Sequence, residues 1–180
     1  MESFMKIKEK LTSFQIIILG FAGVIVIGAL LLMCPVSSKA GIVTPFGKAL
    51  FTSTSAVCVT GLVVYDTASY WSYFGQGIIL ILIQIGGLGV ITVASFVTMI
   101  AGKKISLMQR QTMQNSLSVP QVGGIVKHMR FIFLTSFIVE ILGALLLLPV
   151  FVSRYGIGGI WMSVCHSVSA SVSYTHLTLP

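Results

Sequence analysis

Phe14 to Met33 is an uninterrupted run of twenty residues without one charged side chain, closed by Cys34-Pro35. At a rise of about 1.5 Å per residue, such a run forms a helix of about 30 Å, the depth of a bilayer's hydrocarbon core. Proline cannot continue a helix, so Pro35 marks its end. Two further apolar runs follow, Phe74 to Ala101 and Phe131 to Val152. Lipid offers backbone N–H and C=O groups no partners, so segments of this kind cross it as helices. Composition agrees, with 56% apolar and only 8% charged residues against roughly a quarter charged in an ordinary soluble domain. The expected fold class is therefore all-α integral membrane. The first run imitates a signal peptide, but it is longer than the 7–15 residues of a typical h-region and is read as a retained helix.

A net charge of +7 raises the question of nucleic acid, and the distribution of the charge answers it. Lys6, Lys8 and Lys10 precede the first run, and Lys103, Lys104, Arg110, Lys127 and Arg130 lie between the second and third. Only Lys39, Lys48 and Arg154 fall in the remaining connections. The positive-inside rule then places residues 1–13 and the 102–130 connector in the cytoplasm of a multi-pass protein. No nucleic-acid partner is expected; the bilayer is.

Between the first two runs the chain is unlike either. Thr44-Pro45 offers an N-cap followed by a proline at the first helical position, opening a short helix over about 45–55. Ten residues reach only about 15 Å, half a bilayer, so this helix ends at membrane depth. The stretch from Phe51 through Ser53, Ser55, Cys58 and Thr60 to Leu62 then supplies hydroxyls, small residues and Gly61. Non-helical backbone at that depth survives only where protein buries it or where it lines a water-filled path. Asp66 and the aromatic group Tyr70, Trp71 and Tyr73 follow, as at a membrane interface.

The second run, at 28 residues, exceeds what a span needs and holds Gln84 with Gly86, Gly87 and Gly89, so a tilt or bend is expected. Those glycines have two readings, close helix packing or a gating hinge. The connector 102–130 either sets topology alone or meets a cytoplasmic partner or anionic lipid. Glu140 lies near the centre of the third run, where a carboxylate is costly; it faces the protein interior for structural pairing or takes part in ion transfer. Cys34, Cys58 and Cys165 have no CxxC spacing, and His128 and His166 have no partners at metal-ligand spacing.

A weak internal repeat is also present. Setting Phe51 to Ala56 against Cys165 to Ala170 matches Ser53 with Ser167, Ser55 with Ser169 and Ala56 with Ala170, each stretch following an apolar run at a similar interval. Gly158-Gly159-Ile160-Trp161-Met162 would open the second short helix.

Taken together, Ser55-Ala56-Val57-Cys58-Val59-Thr60-Gly61-Leu62 with Asp66-Thr67, then Gln84-Ile85-Gly86-Gly87-Leu88-Gly89, then Glu140-Ile141-Leu142-Gly143-Ala144 resemble the Trk/Ktr/HKT superfamily of potassium transporters. Within it, the chain is most similar to the membrane subunits of bacterial Ktr potassium uptake systems. The resemblance implies helix, re-entrant pore loop, helix units of the potassium-channel-like type around one pore, each donating a filter strand. Here it implies one complete unit over 14–101, with its filter region at about 56–62, and the start of a second over 131–170. The backbone carbonyls of Val59, Thr60, Gly61 and Leu62 map to the filter, replacing the hydration shell of potassium without a fixed charge. Asp66 then sits at the pore mouth, where a carboxylate concentrates cations, unless it serves as a helix cap or solvated charge.

The resemblance further implies potassium uptake across the plasma membrane and a homodimer of the full-length protein. It also implies a cytoplasmic, KtrA-like nucleotide-binding regulatory ring. No cofactor in this chain and no metal beyond the transported potassium are expected. Nothing supports an enzyme, since no nucleophile triad, phosphate loop or carboxylate pair appears. The alternative is a non-conducting membrane scaffold or assembly subunit. After Ala170 the second filter glycine is missing, and Val172 to Leu177 looks like a translated sequencing adapter, so 171–180 is expected to be a non-native tail.

Overall fold

The computed structural model describes residues 12–90, 92–95, 110–112, 114–115 and 125–172. The expectations for residues 1–11, for most of the 102–130 connector and for the tail after Val172 lie outside the described residues. Among those described, the chain is helical, with no strand beyond a single bridge between Ser38 and Trp71.

Helix α1 spans Ser13–Met33. Its start is fixed by a capping box: Gln15 N donates to Thr12 Oγ1 at 3.4 Å, and Thr12 N donates to Gln15 Oε1 at 2.9 Å. Its end is set at Cys34, after which Pro35–Ser37 tighten into a 3₁₀ turn. Helix α2 spans Phe46–Val57, and here the start differs from the expectation. Pro45, with ψ 137°, is the flanking residue rather than the first helical one, and no side chain caps it. Thr44 is buried instead with its hydroxyl 3.1 Å from that of Tyr70, a tertiary bond that outcompetes the local cap.

Helix α3 is one turn, Thr67–Tyr70, and α4 runs Tyr73–Leu88 from the Ser72 cap. The 28-residue run is thus not one helix. Gly89 adopts φ +83°, a left-handed conformation that ends α4 after 16 residues, and residues 92–95 are helical beyond it. Helix α5, Ile125–Tyr155, includes Pro149; a turn through Gly156 (φ +60°) then leads to α6, Gly158–Ser171.

Helix α2 packs against α1 and α4, while α6 packs against α5 and touches α4. The core between them gathers Leu32, Ala56, Val57, Trp71, Ile79 and Ile83. Among the described residues, two helices are long and apolar enough to cross a membrane, Phe14–Met33 and Arg130–Tyr155. Only 17% and 11% of their apolar windows are buried within the chain, so both need an apolar environment from outside it.

Candidate functional site

Helix α2 is short and yet deeply inserted. Thr52, Ser53, Ser55, Ala56 and Val57 are all buried, so its carboxyl-terminal end, which carries partial negative charge, lies inside the protein. Its hydroxyls are satisfied locally or by the neighbouring helix. Thr52 and Thr54 donate to carbonyls one turn back, and Ser53 Oγ donates to Ile25 O of α1 at 2.7 Å. Gly28, one turn further along α1, leaves the room for that serine, since a Cβ there would stand 2.5 Å from Ser53 Oγ.

The second short helix repeats this arrangement. Ser167 Oγ donates to Glu140 O of α5 at 2.5 Å, and Gly143, three residues on, opens the space for Ser167 as Gly28 does for Ser53. The pairing of Ser53 with Ser167 therefore extends to the long helices, where Ile25 answers to Glu140 and Gly28 to Gly143.

Beyond Val57 the backbone leaves the helix in an unusual way. Val59 has φ +54° and Gly61 φ +75°. The second is open to glycine at no cost, whereas a β-branched residue in the left-handed region is strained, a state that persists only where the surroundings enforce it. Ser55 does much of the enforcing. Its Oγ donates to Leu62 O at 2.6 Å and accepts from Thr60 Oγ1 at 3.0 Å, and its carbonyl accepts from Thr60 N at 3.0 Å. Of the four carbonyls assigned from the sequence, that of Leu62 is thus held by Ser55. Those of Val59, Thr60 and Gly61 accept no hydrogen bond among the described residues. Gly61 is buried, and Leu62 is largely exposed.

Asp66 is exposed and caps α3, its Oδ2 accepting from Ser69 N at 2.8 Å. The segment after it is anchored to the turn that follows α1: Lys39 N donates to Tyr70 O, and Ser72 N donates to Ser37 O, both at 2.9 Å. Tyr65 stacks on Tyr70 with ring centroids 3.9 Å apart, and the Lys48 ammonium lies 4.5 Å from the Tyr65 ring centroid. This clamp of Lys48, Tyr65 and Tyr70 was not legible as such in the sequence, because its members lie up to 22 residues apart without a repeat.

The glycines of α4 take different roles. A Cβ on Gly86 would run into the backbone of Val57, the last residue of α2, and one on Gly87 into the Val172 side chain at the end of α6. Gly86 thereby receives the end of α2, while Gly89 makes the break; Ser171 and Val172 belong to the stretch read from the sequence as a non-native tail. Two residues before Gly86, Gln84 Nε2 lies 2.6 Å from both carboxylate oxygens of Glu140, which is 5% exposed; Ser171 Oγ adds a bond to Oε1 at 2.9 Å. Gln84 and Glu140 form the polar patch in an otherwise apolar cleft of about 560 Å³ between α4, α5 and α6.

A family model described as "TrkH: Cation transport protein" matches residues 6–173. Among curated proteins, the potassium/sodium uptake protein NtpJ of Enterococcus hirae is 39% identical over 166 residues, covering 92% of this chain and 37% of its own length. The Ktr system potassium uptake protein B of Bacillus subtilis is 43% identical over 157 residues, covering 87% of this chain and 35% of its own. The Ktr system potassium uptake protein D of the same organism is 33% identical over 172 residues, 96% of this chain and 38% of the relative. The chain therefore spans a little over a third of the curated relatives it matches.

Proposed function

Because the chain belongs to the TrkH family of cation transport proteins, we propose that it supplies one helix, pore-loop, helix unit and the beginning of another to a potassium uptake transporter of the cell membrane. The observation that carries this reading is the loop after α2. A half-length helix ends in the interior, and the backbone beyond it holds Val59 and Gly61 at positive φ with the carbonyls of Val59, Thr60 and Gly61 uncommitted.

Potassium gives up its hydration shell only where oxygens replace it, and carbonyls do so without the tight binding a carboxylate would impose. The end of α2 adds the negative pole of a helix behind those oxygens. Ser55 braces the strand from the back through Leu62 O, so in this reading Leu62 closes the strand and Val59, Thr60 and Gly61 supply the ligands. Four such strands complete a filter, of which α2 and its loop give the first and α6 introduces the second. The free end of the Asp66 carboxylate lies at the outer mouth and raises local cation concentration.

The N-terminus is cytoplasmic in this scheme, and both apolar long helices turn their unburied faces to lipid or to the other units. The full-length protein forms a homodimer regulated by a cytoplasmic nucleotide-binding ring, the nucleotide belonging to that partner.

The test is potassium-dependent growth of an uptake-deficient bacterium carrying the full-length gene. Rescue at low potassium is expected with the wild-type gene. A protein that accumulates in the membrane but gives no rescue would identify a non-conducting scaffold instead.

A further inference from the structure

The side chain of Gln76 on α4 joins three separate segments. It is buried, and its Nε2 donates to Trp71 O at 3.1 Å and to Thr67 O at 3.3 Å, while its Oε1 accepts from Trp161 Nε1 at 2.7 Å. An indole N–H only donates, so it must face the amide oxygen, and this fixes which end of the amide is which. Thr67 and Trp71 bracket α3, the turn that begins five residues after Leu62. Trp161 sits in the first turn of α6, the short helix of the second unit, 85 residues away from Gln76. One amide thus ties the segment leaving the first loop to the helix that introduces the second.

Surrounding contacts make the tie stiff. Trp71 is fully buried and bridges to Ser38, and a Cβ on neighbouring Gly75 would strike the carbonyl of Ser37, so α4 lies against the turn after α1 with no slack. On the far side, the Trp161 ring meets Tyr73 edge to face with centroids 6.1 Å apart. Thr67, Trp71 and Gln76 are buried and Trp161 is half-buried, so the amide, the two carbonyls and the indole N–H are matched to one another at short range.

We propose that Gln76 is a positioning residue that sets the spacing between adjacent filter strands and, through it, the preference for potassium over a smaller cation. This rests on the reading of the 59–61 loop as part of a filter. Carbonyl coordination discriminates between ions by the number and placement of oxygens, so a shift of one unit against the next changes selectivity without removing any ligand.

The test uses the full-length transporter reconstituted in lipid vesicles, with potassium and sodium fluxes measured under an imposed potential and thermal unfolding followed on the same preparations. Trp161→Phe keeps an aromatic ring against Tyr73 and removes the N–H. It should lower the potassium-to-sodium flux ratio roughly fivefold, the weight of one neutral hydrogen bond, with potassium still carried. Gln76→Leu should lower it at least as far, and the double variant no further than Gln76→Leu alone, because the two side chains act as one unit. Should Gln76→Leu fail to accumulate, Trp161→Phe alone decides. A Trp161→Phe protein with the wild-type flux ratio, or single-variant effects that multiply in the double, overturns the tie. A wild-type protein that moves no potassium overturns the uptake reading itself.

Discussion

Gln84 Nε2 stands 2.6 Å from each carboxylate oxygen of Glu140, so an amide of α4 closes on an acid of α5 across an apolar cleft. Glu140 also gives its backbone carbonyl to Ser167, which places it at the meeting point of α4, α5 and α6. On α1 the corresponding position is Ile25, which has no polar side chain to offer. The acid therefore belongs to the contact of α5 with α4 and α6 and has no counterpart on α1.

Removing one member of this pair should cost more than removing both. Glu140→Leu leaves the Gln84 amide unpaired in apolar surroundings, a loss of about 1–3 kcal/mol. Adding Gln84→Leu removes the stranded group and should recover part of that. Denaturant unfolding of the full-length protein in mild detergent measures both; a double variant as unstable as the sum of the singles would count against the pairing.

Glycine contacts on the long helices make a sharper contrast. A Cβ at Gly86 meets Val57 backbone, which cannot swing aside as a side chain can, whereas nothing lies within 4 Å of a Cβ at Gly23 on α1. Gly86→Ala should thus displace α2 and depress both stability and uptake. Gly23→Ala should be neutral or slightly stabilising, by up to about 1 kcal/mol from helix propensity. Yield after detergent extraction and rubidium uptake would report the difference.

How far the sequence foretold this architecture follows from the physics of each signal. Apolar runs of bilayer length announced the helical fold and the two long helices, because burial in lipid demands both length and the absence of charge. The first short helix was visible through the Thr44-Pro45 start signal and the apolar and small residues after it. What stayed hidden were choices made by tertiary contact: Thr44 turned to Tyr70 instead of capping α2, and Val59 took a left-handed conformation that its β-branched side chain disfavours. Nor does any local pattern tell that Gln76 reaches Trp161, since a lone glutamine in an apolar run reads the same whichever helix it meets.

Asp66 combines a cap and a charge, and substitution separates the two. Asparagine retains an oxygen that accepts from Ser69 N, so Asp66→Asn keeps the cap while removing the charge. Uptake should fall chiefly at low external potassium, with maximal flux little changed. Asp66→Ala removes both and should in addition loosen α3, by about 0.5–2 kcal/mol at most for a lost cap. An unaltered concentration dependence in Asp66→Asn would rule out the mouth role and leave the cap alone.

Gly61 is the position at which backbone conformation and proposed chemistry meet most directly. Its φ of +75° lies where a Cβ-bearing residue pays about 1–2 kcal/mol, and Ser55, Thr60 and Leu62 fix the strand on both sides so that it cannot relax cheaply. Gly61→Ser should therefore turn the peptide planes at Thr60 and Gly61 rather than unfold the protein. The expected result is a full-length transporter that still reaches the membrane and still carries cations but prefers potassium over sodium less strongly. Competition of sodium with rubidium uptake measures this. Unchanged selectivity in a protein of normal abundance would remove the loop from the filter, and with it the assignment of the Val59, Thr60 and Gly61 carbonyls as ligands.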